Sequence, residues 1–244
     1  MGLQEEAAII LSNGFEEIMD NYNQTALLLN SCDKAASYYH SKTSRITIDT
    51  TANIPTDLKL QTDIGTIFAK KQLIEQYEHK LGLKLAKDYL VATIATLDGL
   101  MEDLYELSIA HQEPEKTEEQ IKRMIRWGDK GIPVDLIVRL PFLKEHKNPK
   151  GFKFEDFLNT YEHLRQIRHA TVHTKGQLRK RHLSKIHSLE EKMEAKQRDS
   201  VQQFYREDKV VLSPLTTFVL RHWCLTFISF ITIAIEEATD NQNL

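Results

Sequence analysis

Arg168, His169 and His173 stand together in the string RHATVH, and side chains of these types suit one kind of chemistry. Cleaving a phosphodiester without a metal requires a base for the attacking hydroxyl, an acid for the departing oxygen, and positive charge for the phosphorane that develops. A histidine with an unperturbed pKa of ~6.5 moves protons at neutral pH. An arginine stays charged and can grip two phosphate oxygens in its planar fork. The spacing alone is not distinctive, because Arg181/His187 and Arg139/His146 meet a slightly looser version of it. Context separates the three pairs. Pro141 interrupts the last of them, Arg181/His187 lies on a very polar segment, and only Arg168/His173 rides on a segment with a strong apolar pattern. Arg168 and His173 are still ~140° and ~7.5 Å apart on a straight helix. Long arginine reach, fraying near Gly176, or a second copy of the chain is needed to bring both to one cleft.

The segment that carries them runs FKFEDFLNTYEHLRQIRHATVHTKG. Phe154, Phe157, Leu158, Tyr161, Leu164, Ile167 and Val172 approximate one helical stripe, and Gly176 is placed as a C-cap glycine. Charge is concentrated around it. The net charge of −3 divides into +7 for residues 144–187, where eleven Lys or Arg face four acids, and −10 for everything else. Residues 163–187 contain no Asp or Glu, yet hold seven Lys or Arg and five of the ten histidines. Arg165, Lys175, Arg179, Lys180, Arg181 and Lys185 are therefore candidate contacts for phosphate groups. An ordinary solvated basic helix is the plainer alternative. Asp98 and Glu102, four apart on a predicted helix, share a face and could orient Arg168 or His173. His169 and His173, also four apart, could hold a metal with Asp98 or Glu102, but no motif supplies a third ligand, so no metal and no cofactor is expected.

Helical periodicity dominates the remainder. Residues 3–39 predict two helices, or one broken at the polar NYNQ. Residues 41–63, with TSRITIDTT and Pro55, predict a short hairpin or irregular insertion. Helix resumes from Ala69 to Ala110, with a break at Gly82, and recurs over Glu118 to Trp127. Pro133 and Pro141 leave room for a brief helical turn between them. Leu178 to about Lys196 predicts a polar helix, either a solvent-facing arm or a partner-binding element. KVVL (209–212) predicts an extended piece. Ser213 and Pro214 then predict the cap and first position of a terminal helix. Its apolar run, WCLTFISFITIAI, is shorter than the ~20 residues that span a bilayer, so a buried core helix and no membrane are expected. Cys32 and Cys224 show no CxxC or Cys/His ligand spacing, which points to a reducing, cytoplasmic setting. The first residues lack a basic-then-apolar leader, and Glu6 stands where a myristoylation motif needs Ser or Thr, so neither export nor a lipid anchor is expected. No Walker loop or GxGxxG occurs.

The combination of LRQIRHATVHTKG, an aromatic-rich turn before it, the short VVLSP piece after it and a hydrophobic terminal helix resembles a HEPN ribonuclease domain. The resemblance covers roughly residues 64–238, leaving 1–63 as an N-terminal embellishment and 177–200 as an added basic polar helix of a single domain spanning 1–244. It implies an all-α bundle that works as a homodimer with the Arg and His sets meeting in one cleft. It also implies Arg168 on the scissile phosphate, His173 as general acid or base, and His169 at a polar position more often filled by asparagine. The implied activity is endonucleolytic cleavage of RNA by 2′-hydroxyl attack, leaving a 2′,3′-cyclic phosphate, in a toxin or host-defence role with an antitoxin protein as a possible partner. A non-catalytic HEPN-like module binding RNA, a nucleotide or a protein is the alternative.

Overall fold

The computed structural model describes residues 2–52, 54, 55, 57, 65–127, 131–148 and 151–242. The fold is all-α, about 75% helical, with only two very short strand pairs among the described residues. Helix α1 (Leu3–Ser41) is one uninterrupted element rather than two. The NYNQ stretch is polar but holds no proline, and Tyr22 within it packs edge-on against Tyr89 at 5.9 Å, so tertiary contact carries the helix through. The expected insertion is a hairpin in part: β1 (Thr47–Asp49) pairs antiparallel with β2 (Ile67–Ala69), whose position lies beyond the predicted interval. Residues 53, 56 and 58–63 of the insertion are outside the described residues.

Helix α2 (Lys70–Glu75) runs through one π-helical turn (Gln76–Lys80) into α3 (Leu81–Gln112). Gly82 is itself helical, so the irregularity falls one turn earlier than expected. Thr117 caps α4 (Glu118–Met124), accepting from the Gln120 amide at 3.3 Å while Gln120 returns a bond at 2.9 Å. Between the prolines lies α5 (Ile132–Arg139), two turns long because Pro133 occupies the first turn, where a missing N–H costs nothing; Pro141 then opens α6 (Pro141–Glu145).

Helix α7 (Phe154–His173) carries the candidate site. Asp156 accepts from the Lys153 amide at 2.8 Å, and Glu155 and Asp156 favour the positive helix start. Its stripe packs on α10 (Pro214–Gln242), where Phe157 stacks on Phe227 at 5.5 Å and Tyr161 on Trp223 at 6.5 Å. Val172 leaves the stripe and is exposed, since it lies five residues beyond buried Ile167. The helix ends where Gly176 N–H reaches Ala170 O at 2.9 Å, with Lys175 at φ 55° and Gly176 at φ 83°. A Cβ at Gly176 would meet only Val210, at an ordinary 3.7 Å, so the cost of substitution is purely backbone. Gly176→Ala should therefore lower stability by about 1 kcal/mol in a urea titration, whereas an unchanged midpoint would contradict this geometry.

The basic stretch that follows is not a solvent-facing arm. It folds into α8 (Lys180–Glu190) and α9 (Ala195–Gln202), with α8 laid along α7 and burying His182, Ile186, Leu189 and Glu190. Apolar residues spaced three and four apart give even this polar helix a docking edge. Strands β3 (Tyr205–Arg206) and β4 (Lys209–Val210) clamp the α7–α8 connection, through Val210 N–H to Gly176 O at 2.8 Å and Leu178 N–H to Asp208 O at 2.7 Å.

One core cluster joins residues of α1, α3, α5, α7 and α10. Residues 3–41, set apart from the bundle in the sequence, supply Ala7, Leu11 and Ile18 to that same core. Among the described residues, one helix (Pro214–Thr239) is long and apolar enough to cross a membrane by length and composition. Here 44% of its most apolar stretch is buried, packed against α1, α3 and α6.

Candidate functional site

Seventy residues separate Asp98 from Arg168, and packing of α3 against α7 brings them together. The Asp98 carboxylate accepts from the Tyr161 hydroxyl, receives Arg165 Nε at 3.0 Å, and lies 3.6 Å from Arg168 Nη1. Burial, then the neighbouring Asp98 charge, pushes the Tyr161 phenol well above its ordinary value, so it stays a proton donor. Arg165 also reaches Glu162 at 3.3 Å, and its guanidinium carbon sits over the Trp127 ring at 4.0 Å. These commitments leave Arg165 a structural side chain, not the free phosphate contact expected of it. Arg168 differs: its side chain is 35% exposed, and its buried Nε has no partner. Asp98 thus holds Arg168 from one side while part of its guanidinium faces outward.

Glu102 is occupied elsewhere, accepting from Trp127 Nε1 at 2.5 Å, so of the two predicted supporting carboxylates only Asp98 meets the arginine. Asp98→Ala would strip Tyr161 of its acceptor and leave Arg165 facing only Glu162. A loss of about 2 to 4 kcal/mol is expected by chemical denaturation, and Asp98→Asn should recover part of it.

The second half of the site lies on the next face of α7. The helix stays regular through His173, so fraying does not bring His173 round to Arg168. Instead His173 packs on His169, ring centres 4.6 Å apart, and His169 packs on His182 of α8 at 5.0 Å. His173 is exposed, His169 partly buried and His182 buried. Burial, then His173 and the arginines 181, 168 and 179, lowers the His169 pKa below the ordinary imidazole value. Burial, His169, Arg181 and Arg179 do the same to His182. The negative C-terminal end of α7 would favour a protonated ring, but here desolvation and like charge win. Both rings are therefore neutral near pH 7 and can accept protons.

His182 was not singled out in the sequence. The signal for it was present in the acid-free 163–187 segment, but nothing there distinguished it from His163 and His187. His163 is fully buried against Glu190 at 3.1 Å, and His187 is exposed. Lys175, Arg179, Lys180 and Arg181 are exposed around the cluster, and Lys185 is half-buried with an interaction of its own. The competing pairs are structural: Arg139 bonds Glu113 at 2.8 Å, and His146 bonds Glu237 at 2.7 Å. Asp98 and Glu102 do not join His169 and His173, and among the described residues no group of three His, Cys, Asp or Glu is placed to hold a metal ion. Comparison with family models, with curated proteins and with solved structures returned no match.

Proposed function

We propose that the chain is a HEPN-type endoribonuclease that cleaves RNA without a metal or other cofactor, acting in the cytoplasm as a homodimer. The observation that carries this is a partly exposed Arg168, held by Asp98, beside a run of three imidazoles in a segment free of carboxylates. Arg168 binds the scissile phosphate. A neutral imidazole takes the 2′-hydroxyl proton, the 2′-oxygen bonds to phosphorus, and the P–O5′ bond breaks. The leaving O5′ receives a proton from a protonated imidazole, so the products are a 2′,3′-cyclic phosphate and a 5′-hydroxyl. His173 is the exposed ring and takes the acid or base role, with His169 packed behind it. Arg168 and His173 stand ~140° apart around the regular helix α7, which favours a second copy contributing its own pair to the same phosphate. Such an activity suits a toxin or host-defence protein whose free form must be restrained by an antitoxin.

The decisive experiment incubates purified protein with mixed RNAs in EDTA and maps the product ends. Cyclic phosphate ends that appear with wild type and vanish with His173→Ala support the assignment; RNA left intact, or cut equally by the variant, overturns it. The exposed arginines 179 and 181 also suit a module that binds RNA without turnover, and salt-sensitive binding with no cleavage would decide for that alternative.

A further inference from the structure

His182 lies outside the Arg168/His173 pair, yet its ring closes the imidazole run on the α8 side and its surroundings are unusual. Two donors converge on it: the Arg179 amide reaches Nδ1 at 3.2 Å, and Arg181 Nε reaches Nε2 at 3.3 Å. A neutral imidazole has one acceptor nitrogen, and its other nitrogen carries a hydrogen. The amide contact is fixed by the start of α8, so the proton sits on Nε2 and faces the N–H of Arg181. One donor is thus set against another, on a surface already crowded with positive charge. A phosphate oxygen resolves this conflict, because it accepts from both.

We infer that His182 and Arg181, with Arg179 beside them, form a second phosphate subsite, adjacent to the Arg168/His173 position and reached by the neighbouring phosphate of the same strand. The proposal rests on the view of this surface as an RNA-binding one, but not on cleavage. Its ligand is a phosphodiester of single-stranded nucleic acid. His182 acts as a neutral N–H donor and Arg181 as the charged clamp, released from the imidazole when the anion arrives. The other charged side chain acting on the neighbouring His169 ring is Arg168 of α7, whose partner Asp98 lies behind it on α3. The anion therefore enters a field in which the nearest charges are basic.

The test uses the full chain and a fluorescent hexadeoxythymidylate, which lacks the 2′-hydroxyl and reports binding without turnover. Arg181→Gln should weaken binding about tenfold and reduce the salt dependence by roughly 0.7 in log–log slope, the share of one single-strand phosphate. His182→Gln should weaken binding by a similar factor. The double variant should lose less than the product of the two, because both act on one phosphate. Arg123→Gln, exposed on α4, which packs on α3 rather than on α7 or α8, removes one charge outside the cluster and sets the background effect. If Arg181→Gln binds no worse than Arg123→Gln, or if the two losses simply multiply, the subsite is wrong. Should His182→Gln fail to fold by circular dichroism, the exposed Arg181 variant decides alone. Binding weakened by Arg181→Gln beside absent RNA cleavage would sink only the nuclease; normal cleavage with an unaffected Arg181→Gln would sink only the subsite.

Discussion

Arg168→Ala and His173→Ala are each expected to lower RNA cleavage by about 100- to 1,000-fold, with the fold unchanged. The size follows from what is removed: a positioned proton-transfer group supplies ~10²–10⁴-fold, and one preorganised charge on the developing phosphorane a comparable factor. Folding should survive both changes. His173 is exposed, and Asp98 keeps Tyr161 and Arg165 as partners when Arg168 is gone. Arg168→Lys retains charge but loses the planar fork, so an intermediate rate is expected. His187→Ala, exposed on α8 and outside the cluster, is the control. Rates for the Arg168 and His173 variants equal to that control would end the catalytic assignment.

Glu190→Ala should be the most destabilising of the substitutions considered, by about 3 to 5 kcal/mol, because it breaks a buried hydrogen-bonded pair from one side. Glu190 is 8% exposed and accepts from His163 Nε2 at 3.1 Å, Gln202 Nε2 at 3.1 Å and the Tyr205 hydroxyl at 2.9 Å. The His163 ring is fully buried and its Nδ1 already lacks a partner, so the variant leaves the whole imidazole unsatisfied. Burial raises the Glu190 pKa, but the hydrogen bonds from His163, Gln202 and Tyr205 outweigh it and hold the carboxyl below its ordinary 4.5. A depressed carboxyl contributes stability above the unfolded value and loses it as the pH falls through the folded one. The gap between wild type and variant should thus be full above about pH 5 and narrow in acid, as urea midpoints measured across pH would show. A constant gap would place the cause elsewhere. The same carboxylate ties α7 to α8 and to β3, so its loss should also loosen the His182 side of the cluster.

The helices were legible because their signals are local. The Phe154-to-Ile167 stripe, the Gly176 stop and the Ser213–Pro214 start are read from spacing and residue type within a few positions, and each is where the structure has it. Breaks were harder to read. A polar NYNQ resembled an interruption only while the partners of α1 were unknown, and the scattered apolar residues of α8 looked undocked until α7 lay beside them. Propensity is a weak force, and a long packed face overrides it.

For the site, the sequence by itself determined the chemistry on offer: a guanidinium and imidazoles on the end of a helix with a buried face, in a stretch without a carboxylate. Tertiary packing alone decided which of those groups meet. It brought Asp98 to Arg168 across seventy residues, turned Arg165 onto Trp127, and assigned Glu102 to the indole. The turn at Lys175 and Gly176 folded α8 back so that His182 joined His169. Side-chain direction follows from which faces are buried and what they are buried against, and that is a property of elements distant in the chain, which no local pattern encodes.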